Sequence, residues 1–561
     1  MRRRKTEDGK ILKLDAAISN LKPPSAFFKE MSNREEQFNL TEIRRRFPLL
    51  VENLAHLANR EAWLERIWEI EQRWNAARRN GSAFEEVFST AGAPPDLKTE
   101  AEFEIIYAGG TLGLLHAAVM AGAHNRKVLV FDAHTVGKTH RDWNISDEEL
   151  REFTAAGLFT PEEIEKAVAN RYKTGFVKFY EANSKIKTPP LFMENVLDVA
   201  IEADKLLDLA VKKLKKTDSK IINNLRFRRA YVRKEKVLVE CEDAKTGRCR
   251  LFSARLFVDA TGTNSPVSRQ LNAGKSITHV CPTVGTVAKG FRKGSEPNEV
   301  DFSVGEILVS TEDVSDNRQL MWEGFAGNPR KNEYTTYLFF YDSVESSADK
   351  SLLRLFEEYF EKLPAYKTKT NGWKIVKPVF GYIPSIHHHG WQNVKKTASD
   401  RILLVGDAAG LSSPLTFCGF GSHVRNLRKL TNLTERALEN DALDEKSLSA
   451  INAYEPRVAQ MASLAEFMRP VKTSKPSAVN ETMNAVMMAL SQLDANVRRE
   501  MFQDRISFAN FRRLLRKTAT IHPKVFRLMF EHLGAKGSFW WLANIAEAAL
   551  HERKSFNNGK N

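Results

Sequence analysis

Apolar residues recur along the chain with different periods, and each period predicts a different kind of element. Trp63, Ile67, Trp68, Ile70 and Trp74 fall mostly on one helical face, with Glu and Arg at most of the intervening positions. Residues 1 to about 100 accordingly read as a helical prefix, closed by the turn-rich run from Gly92 to Leu97. The period then changes. FEIIYA (103–108) is a short apolar run, TLGLLHAAVMAGA (111–123) a helix of small residues, and KVLVFDA (127–133) a second apolar run. That order predicts a β-α-β unit of about 30 residues. Between 240 and 345 several strand-like runs follow, among them ARLFVDA (254–260), FSVGEILVS (302–310) and YTTYLFFY (334–341). From about 420 onward helical patterns dominate, and no internal repeat is visible.

A chain of 561 residues exceeds what one core can serve, since cores stop growing near ~250–300 residues, so two or three packed regions are expected. No run approaches the ~18–20 apolar residues of a membrane span. The opening MRRRKTEDGK leads into no apolar stretch, so a secretory signal is not expected. The cysteines at 241, 249, 281 and 418 lack metal-ligand spacing, which favours a reduced, cytoplasmic protein. Charge is the unusual property: 85 basic against 70 acidic residues leave +15. The clusters Arg44–Arg46, Lys212–Lys216, Arg226–Lys236 and Arg512–Lys517 suit either a solvated surface or an anionic partner. No nucleic-acid motif accompanies them, so nucleic acid is not expected and an anionic membrane face is the better candidate.

The strand-to-helix junction of the β-α-β unit reads Ala108-Gly109-Gly110-Thr111-Leu112-Gly113. Glycine at 110 admits a pyrophosphate to the backbone, and glycine at 113 lets helix and strand pack closely. The free amides and positive end of that helix then hold phosphate. Asp132 ends the second strand, where an acid bonds a ribose hydroxyl. Ala108 replaces the first glycine of the fingerprint. Two later segments repeat the strand-then-glycine pattern. ARLFVDATGTNSPVSRQL (254–271) carries Asp259, Gly262, Ser265 and Arg269, and RILLVGDAAGLSSPLTFCGFG (401–421) carries Gly406, Asp407, Pro414, Gly419 and Gly421. Asp407, at a strand's carboxyl end, is placed to accept a ribityl hydroxyl; an N-capping aspartate is the plainer alternative. The helix opening near Gly419 and Gly421 points its amides at negative charge, such as the N1–O2 edge of a reduced flavin.

Taken together, the GG-T-L-G, DATG and GDAAG segments resemble FAD-dependent oxidoreductases of the aromatic-hydroxylase and geranylgeranyl-reductase superfamily. THRDWNIS (139–146), MWEGFAG (321–327), TTYLFFY (335–341), GYIPS (381–385) and SPLTFCGFGS (413–422) further resemble the CruA/CruP-type lycopene cyclase family. The resemblance spans roughly residues 103 to 430. It implies an α/β fold: a Rossmann-type FAD-binding domain with an inserted β-sheet substrate domain and helical N- and C-terminal extensions. The expected boundaries are 1–100 for the N-terminal extension, 101–275 and 396–435 for the FAD-binding domain, 276–395 for the β-rich domain and 436–561 for the C-terminal helices. It also implies FAD held reduced, primed by NAD(P)H, and a non-redox reaction on a long carotene. An end group is protonated, closes to a ring through a carbocation and loses a proton.

Such a reaction requires a general acid, a stabiliser for the cation and a dry apolar cavity. Glu323, between Trp322 and Phe325, is the expected acid, because apolar surroundings keep a carboxyl protonated near neutrality; a surface glutamate is the alternative. Glu306 is a poorer second candidate. Arg141 is placed to meet pyrophosphate. Trp143 and Asn144 either border the flavin or form a core tryptophan with a capping asparagine. Tyr382, Ile383 and Pro384 either line the flavin face or make a rigid turn. His387-His388-His389 alternate faces on an extended segment, so no metal is expected there. Phe539, Trp540, Trp541, Leu542 and Ile545, beside the basic run ending at Lys517, suit either core packing or peripheral insertion at an anionic membrane. The competing readings are an NAD(P)H-dependent monooxygenase or prenyl reductase, and a catalytically silent flavoprotein. A halogenase is disfavoured by the lack of a WxWxIP segment.

Overall fold

The computed structural model describes residues 38–79, 84–92, 94–385, 395–412, 415, 419–471 and 475–558. The chain divides into two compact units, Met1–Arg46 and Phe47–Asn561. In the first, a helix over Leu40–Arg46 starts where the Asn39 side chain accepts the Glu42 amide (3.1 Å), and Arg45 pairs with Glu42 at 2.8 Å. All elements below belong to the second unit. In chain order they include α1 (Arg60–Arg79), β1 (Thr99–Ala108), α2 (Leu112–Gly122), β2 (Val128–Phe131), β3 (Cys249–Asp259) and β4 (His279–Phe291). Then come β5 (Val304–Val309), β6 (Met321–Ala326), β7 (Glu333–Phe339), α3 (Leu352–Tyr366) and β8 (Lys369–Ser385). The chain continues through β9 (Ile402–Leu404), α4 (Gly419–Glu439), α5 (Phe508–Ile521) and α6 (Val525–Asn558).

The first sheet has a parallel centre in which β9, β3, β1 and β2 lie side by side, followed by the strand Lys220–Ile222. Its apolar runs are nearly continuous because both faces are covered. Ile105, Tyr107, Val128, Val130, Leu256 and Val258 face one core, and Phe103, Ile106, Leu129, Phe131 and Phe257 face another. An antiparallel wing, Leu225–Val232 and Val237–Asp243, pairs onto the opening half of β3. The prefix expected to be wholly helical also contributes a two-residue strand, Phe88–Ser89, paired parallel to Leu225–Val232. Two residues are too few to show a period, so the pattern could not reveal it.

The second sheet places β8, β4, β7, β6 and β5 in that order, extended by Thr174–Lys178 and Leu191–Met193. Helix α3 covers one face. Tyr359 hydroxyl bonds Thr286 and Thr336 at 2.6 Å each, and Tyr366 stacks on Trp322 with ring centroids 4.5 Å apart. The segment Tyr382–Pro384 is not a turn: it lies in β8, with Tyr382 opposite Pro282 and Pro384 opposite Val280. Proline is tolerated there because β8 pairs only with β4. Beyond α4 the chain is helical to its last described residue, and α6 is broken at Gly534, whose φ of +64° leaves the helical region. Among the described residues no helix is long and apolar enough to cross a membrane.

Candidate functional site

Register across the parallel centre defines the site. Phe131, Ala108, Asp259 and Leu404 form one row at the carboxyl ends of β2, β1, β3 and β9. The loops leaving that row are therefore neighbours, at the sheet edge where α/β folds bind ligands. They bring together Asp132, Gly109-Gly110-Thr111, Gly262 and Gly406-Asp407. The Asp132 carboxylate accepts the Gly110 amide through Oδ2 and the His134 amide through Oδ1, both at 2.8 Å. Gly109 has φ +116°, and a Cβ there would lie 2.2 Å from the Ala260 carbonyl, so only glycine fits this crossing. At Gly113 a Cβ would come within 2.6 Å of the Ala260 Cβ, which explains how α2 sits so close to the sheet. Gly110 has a different neighbour from the one expected. Its missing side chain faces Val136, so the glycine lets the Asp132–Gly137 loop pack against the turn.

Asp259, fully buried, holds the second loop. It accepts Thr261 N (2.8 Å), Thr261 Oγ1 (2.7 Å) and Ser265 Oγ (2.6 Å). Asp407 lies in a 3-10 turn over Gly406–Ala408 and pairs with Arg141 at 3.5 Å. Arg141 in turn lies against Gly381 of β8, where a Cβ would be 2.7 Å from its Nη2. Arg141 therefore bridges the two sheets. Trp143 stacks on Phe420 of α4 (4.3 Å), and the Asn144 Oδ1 is buried without a hydrogen-bond partner among the described residues. Gly419 opens α4, while Gly421 faces Glu149, whose carboxylate would overlap a Cβ at 2.5 Å and pairs with Arg425. Pro414 and the run His387–His389 lie outside the described residues.

Two participants were not apparent from the sequence. Lys395 is buried, and its Nζ donates to the Ala408 carbonyl at 3.0 Å, tying down the Asp407 turn. Burial pushes its amine down to about 7, against the opposing pull of Asp259 and Asp407. Tyr341 of the second sheet donates to the Leu415 carbonyl (3.1 Å), fixing the loop ahead of α4. A lysine in a polar stretch and a tyrosine in an apolar run carry no local signal of either role.

On the second sheet, alternation sends Met321, Glu323 and Phe325 to the face away from α3. Tyr337 lies directly opposite Glu323, Gly285 opposite Tyr337, and Gly381 opposite Thr283, two residues along β4 from Gly285, so Arg141 and Glu323 share this face. The Asp142 amide donates to the Tyr337 hydroxyl at 3.3 Å, joining the same segment to it. Glu323 is 5% exposed. Its carboxyl has no hydrogen bond or ion pair among the described residues, and burial pushes it up to about 8. Glu306 has the opposite setting. It pairs with Lys367 and accepts Tyr366 Oη (2.6 Å) and Tyr334 Oη (3.3 Å) on the α3 side. Fully partnered and turned away from Arg141, it is a structural carboxylate, which removes the second candidate acid.

No protein-family model matches the chain, and no curated protein matches it. Solved structures do. A geranylgeranyl bacteriochlorophyll reductase-like protein from Thermoplasma acidophilum is 14% identical with a TM-score of 0.56, covering 76% of this chain and 98% of that one. The halogenase PltM is 14% identical, TM-score 0.53, over 80% of this chain and 96% of that one. The p-nitrophenol 4-monooxygenase PnpA from Pseudomonas putida is 15% identical, TM-score 0.50, over 74% and 99%. The chain shares the α/β fold of these proteins; in this chain it consists of a parallel-sheet domain and a second sheet, to which helical extensions are added.

Proposed function

We propose that this chain is an FAD-dependent enzyme that cyclises the end group of a linear carotene, as the lycopene cyclase resemblance implies. The observation that carries the reading is Glu323, an unpartnered buried carboxyl on the sheet face shared with Arg141, the partner of Asp407. FAD fits the row of loops: Gly109 and Gly113 bring α2 against the strand ends, Asp132 faces a ribose, and Asp407 a ribityl chain. A solved structure of the similar PltM holds FAD with phloroglucinol. Reduced FAD, primed by NAD(P)H, would supply electron density that stabilises a cation. Glu323 supplies the proton, and the apolar face of Met321, Phe325 and Phe339 excludes water from the developing charge.

Expression in cells that accumulate lycopene, followed by pigment analysis, tests the activity. Cyclised carotene is the expected product; unchanged lycopene with a yellow protein sinks the cyclase reading. The reductase-like and monooxygenase neighbours favour one alternative, an NAD(P)H-dependent oxidoreductase. Steady NAD(P)H consumption coupled to substrate marks that chemistry, whereas a cyclase consumes reductant only to prime. For the cofactor, a hydrogen bond to a charged group contributes about 1.5–3 kcal/mol. Replacing both Asp132 and Asp407 by Ala is therefore expected to weaken FAD binding about 1,000-fold, read by fluorescence titration.

The partner for a bilayer-borne substrate is an anionic membrane surface. Beyond Gly534, α6 turns an apolar stripe outward, with Phe539 62%, Leu542 55% and Leu550 48% exposed at helical spacing. Lys536, Arg553 and Lys554 are exposed on the same helix. Aromatic and aliphatic residues beside lysine and arginine suit the headgroup layer. Trp541 is instead buried, donating its indole N–H to the Gln460 carbonyl, so the run from 539 to 542 is divided between packing and exposure. Sedimentation with vesicles containing phosphatidylserine should show binding that falls at least tenfold when Phe539 and Leu542 are both Ser. Equal binding by parent and variant would remove the membrane role of α6.

A further inference from the structure

Helix α1 belongs to the N-terminal extension, outside residues 103 to 430 that carry the sequence resemblance, yet it is seated against the cofactor side of the protein. Trp63 packs edge-on against Phe380 (6.4 Å), and Trp74 stacks on Tyr382 (4.3 Å), pinning the helix at two points on β8. His140, next to Arg141, stacks on the same Phe380 (4.5 Å), and its buried Nε2 has no hydrogen-bond partner among the described residues. Arg66, Glu69 and Arg73 follow one another along one side of α1. Glu69 is shared between Arg66 (3.0 Å) and Arg73 (3.8 Å). A third arginine arrives from the antiparallel wing. Leu225 N bonds the Asp132 carbonyl (2.8 Å) and Asn224 N the His134 carbonyl (2.9 Å), which fixes Arg226 beside that loop.

The charges in this corner act on one another. Arg73 experiences Arg66, Glu69, Arg226 and Asp132, and His134 experiences Arg66, Asp132, Arg73 and Glu69. Arg66 and Arg226 both act on Arg73, within electrostatic reach of Glu69 and Asp132. Asp132 already accepts two backbone amides, Glu69 is divided between two arginines, and Arg226 has no carboxylate partner among the described residues. Like charges held together with incomplete neutralisation form an anion site, and planar guanidinium forks match phosphate oxygens.

We infer that Arg66, Arg73 and Arg226 bind a phosphate of an adenine dinucleotide, so that the N-terminal extension completes the nucleotide site. This rests on the dinucleotide reading of the Asp132 loop. Two sources of that phosphate are possible: the pyrophosphate of FAD and the 2′-phosphate of NADPH. The test uses the full-length Arg66→Gln/Arg73→Gln protein, with Arg226→Gln as a separate variant on a different element. If the anion is the FAD pyrophosphate, both proteins bind FAD about 100-fold more weakly, with riboflavin affinity unchanged, and Arg66→Lys/Arg73→Lys recovers part of the loss. If it is the 2′-phosphate, FAD affinity is unchanged while the KM for NADPH, but not NADH, rises tenfold or more. Variants that match the parent in all of these overturn the proposal. Calorimetric titration with inorganic pyrophosphate separates the two layers of the argument. A parent that binds pyrophosphate and no flavin overturns the cofactor reading alone; a parent that binds FAD, with arginine variants that bind it equally well, overturns the arginine site alone.

Discussion

Glu323→Gln is expected to abolish ring formation and to make the protein more stable, and the two effects share one cause. The parent carboxyl is buried on β6 without a partner among the described residues, and burial pushes it up to about 8. At neutral pH it holds its proton and can deliver it to an alkene. An amide of nearly the same shape cannot. General acid catalysis contributes roughly 10²–10⁴-fold, so product formation should fall about 1,000-fold while FAD content is unchanged. In the parent, kcat/KM should decline as pH rises through about 8, where the carboxyl loses its proton.

The stability arm follows from linkage. An unfolded glutamate ionises near 4.3, whereas the native one stays protonated to about 8. Between those values the unfolded state holds fewer protons, so the contribution of Glu323 to parent stability falls with rising pH and levels off above about 8. Gln titrates in neither state. Each pH unit is worth about 1.4 kcal/mol, so the advantage of the variant should widen by about 3 kcal/mol from pH 5 to pH 7.5. Urea midpoints across that range read it. Parallel curves for parent and variant would mean the carboxyl is solvated, and Glu323 would lose its role as acid.

Much of this site could be read in the sequence because its signals are local. A strand, a glycine turn and a helix of small residues lie within thirty positions, and the carboxyl ends of β1, β3 and β9 each announce themselves by an apolar run followed within three positions by glycine. The burial of Glu323 was legible for the same reason, an acid set between Trp322 and Phe325 in one apolar strand. What escaped depends on partners distant in the chain. Glu306 is partnered by Tyr334, Tyr366 and Lys367, the last 61 residues further on, and Glu149 meets Arg425 across 276 residues. Tyr382–Pro384 carries turn residues, yet the long pairing of β8 with β4 holds it extended. Local chemistry there yields to thirteen residues of β4 that need a partner strand.

Acid should weaken the fold at two histidines beneath the nucleotide turn, well before its carboxylates are exhausted. His116 of α2 is fully buried and His423 of α4 nearly so. Tyr107 hydroxyl bonds His116 Nδ1 at 2.8 Å, and His423 feels the Leu112 main chain at the start of α2, which pulls against its burial. The Nε2 of each ring is buried with no hydrogen-bond partner among the described residues. Burial holds His116 down to about 3, with His423 adding repulsion, and burial alone holds His423 down to about 4. Unfolded histidine takes up its proton near 6.5. Below that pH the unfolded state binds protons that the native state refuses, so the contribution of these rings is complete above 6.5 and declines as pH falls toward 4. Two such groups at about 1.4 kcal/mol per pH unit each remove about 4 kcal/mol between pH 7 and pH 5, opposed by about 2.5 kcal/mol from Glu323 over the same interval. His116→Asn/His423→Asn should flatten that dependence, whatever its own starting stability, when urea midpoints are compared from pH 7 to pH 5. Because His423 lies against Leu112, immediately after Gly110-Thr111, bound flavin should be released over the same interval. An unchanged pH slope in the double variant would show that these rings reach water, and the packing of α4 against α2 would not be the acid-sensitive joint of the nucleotide site.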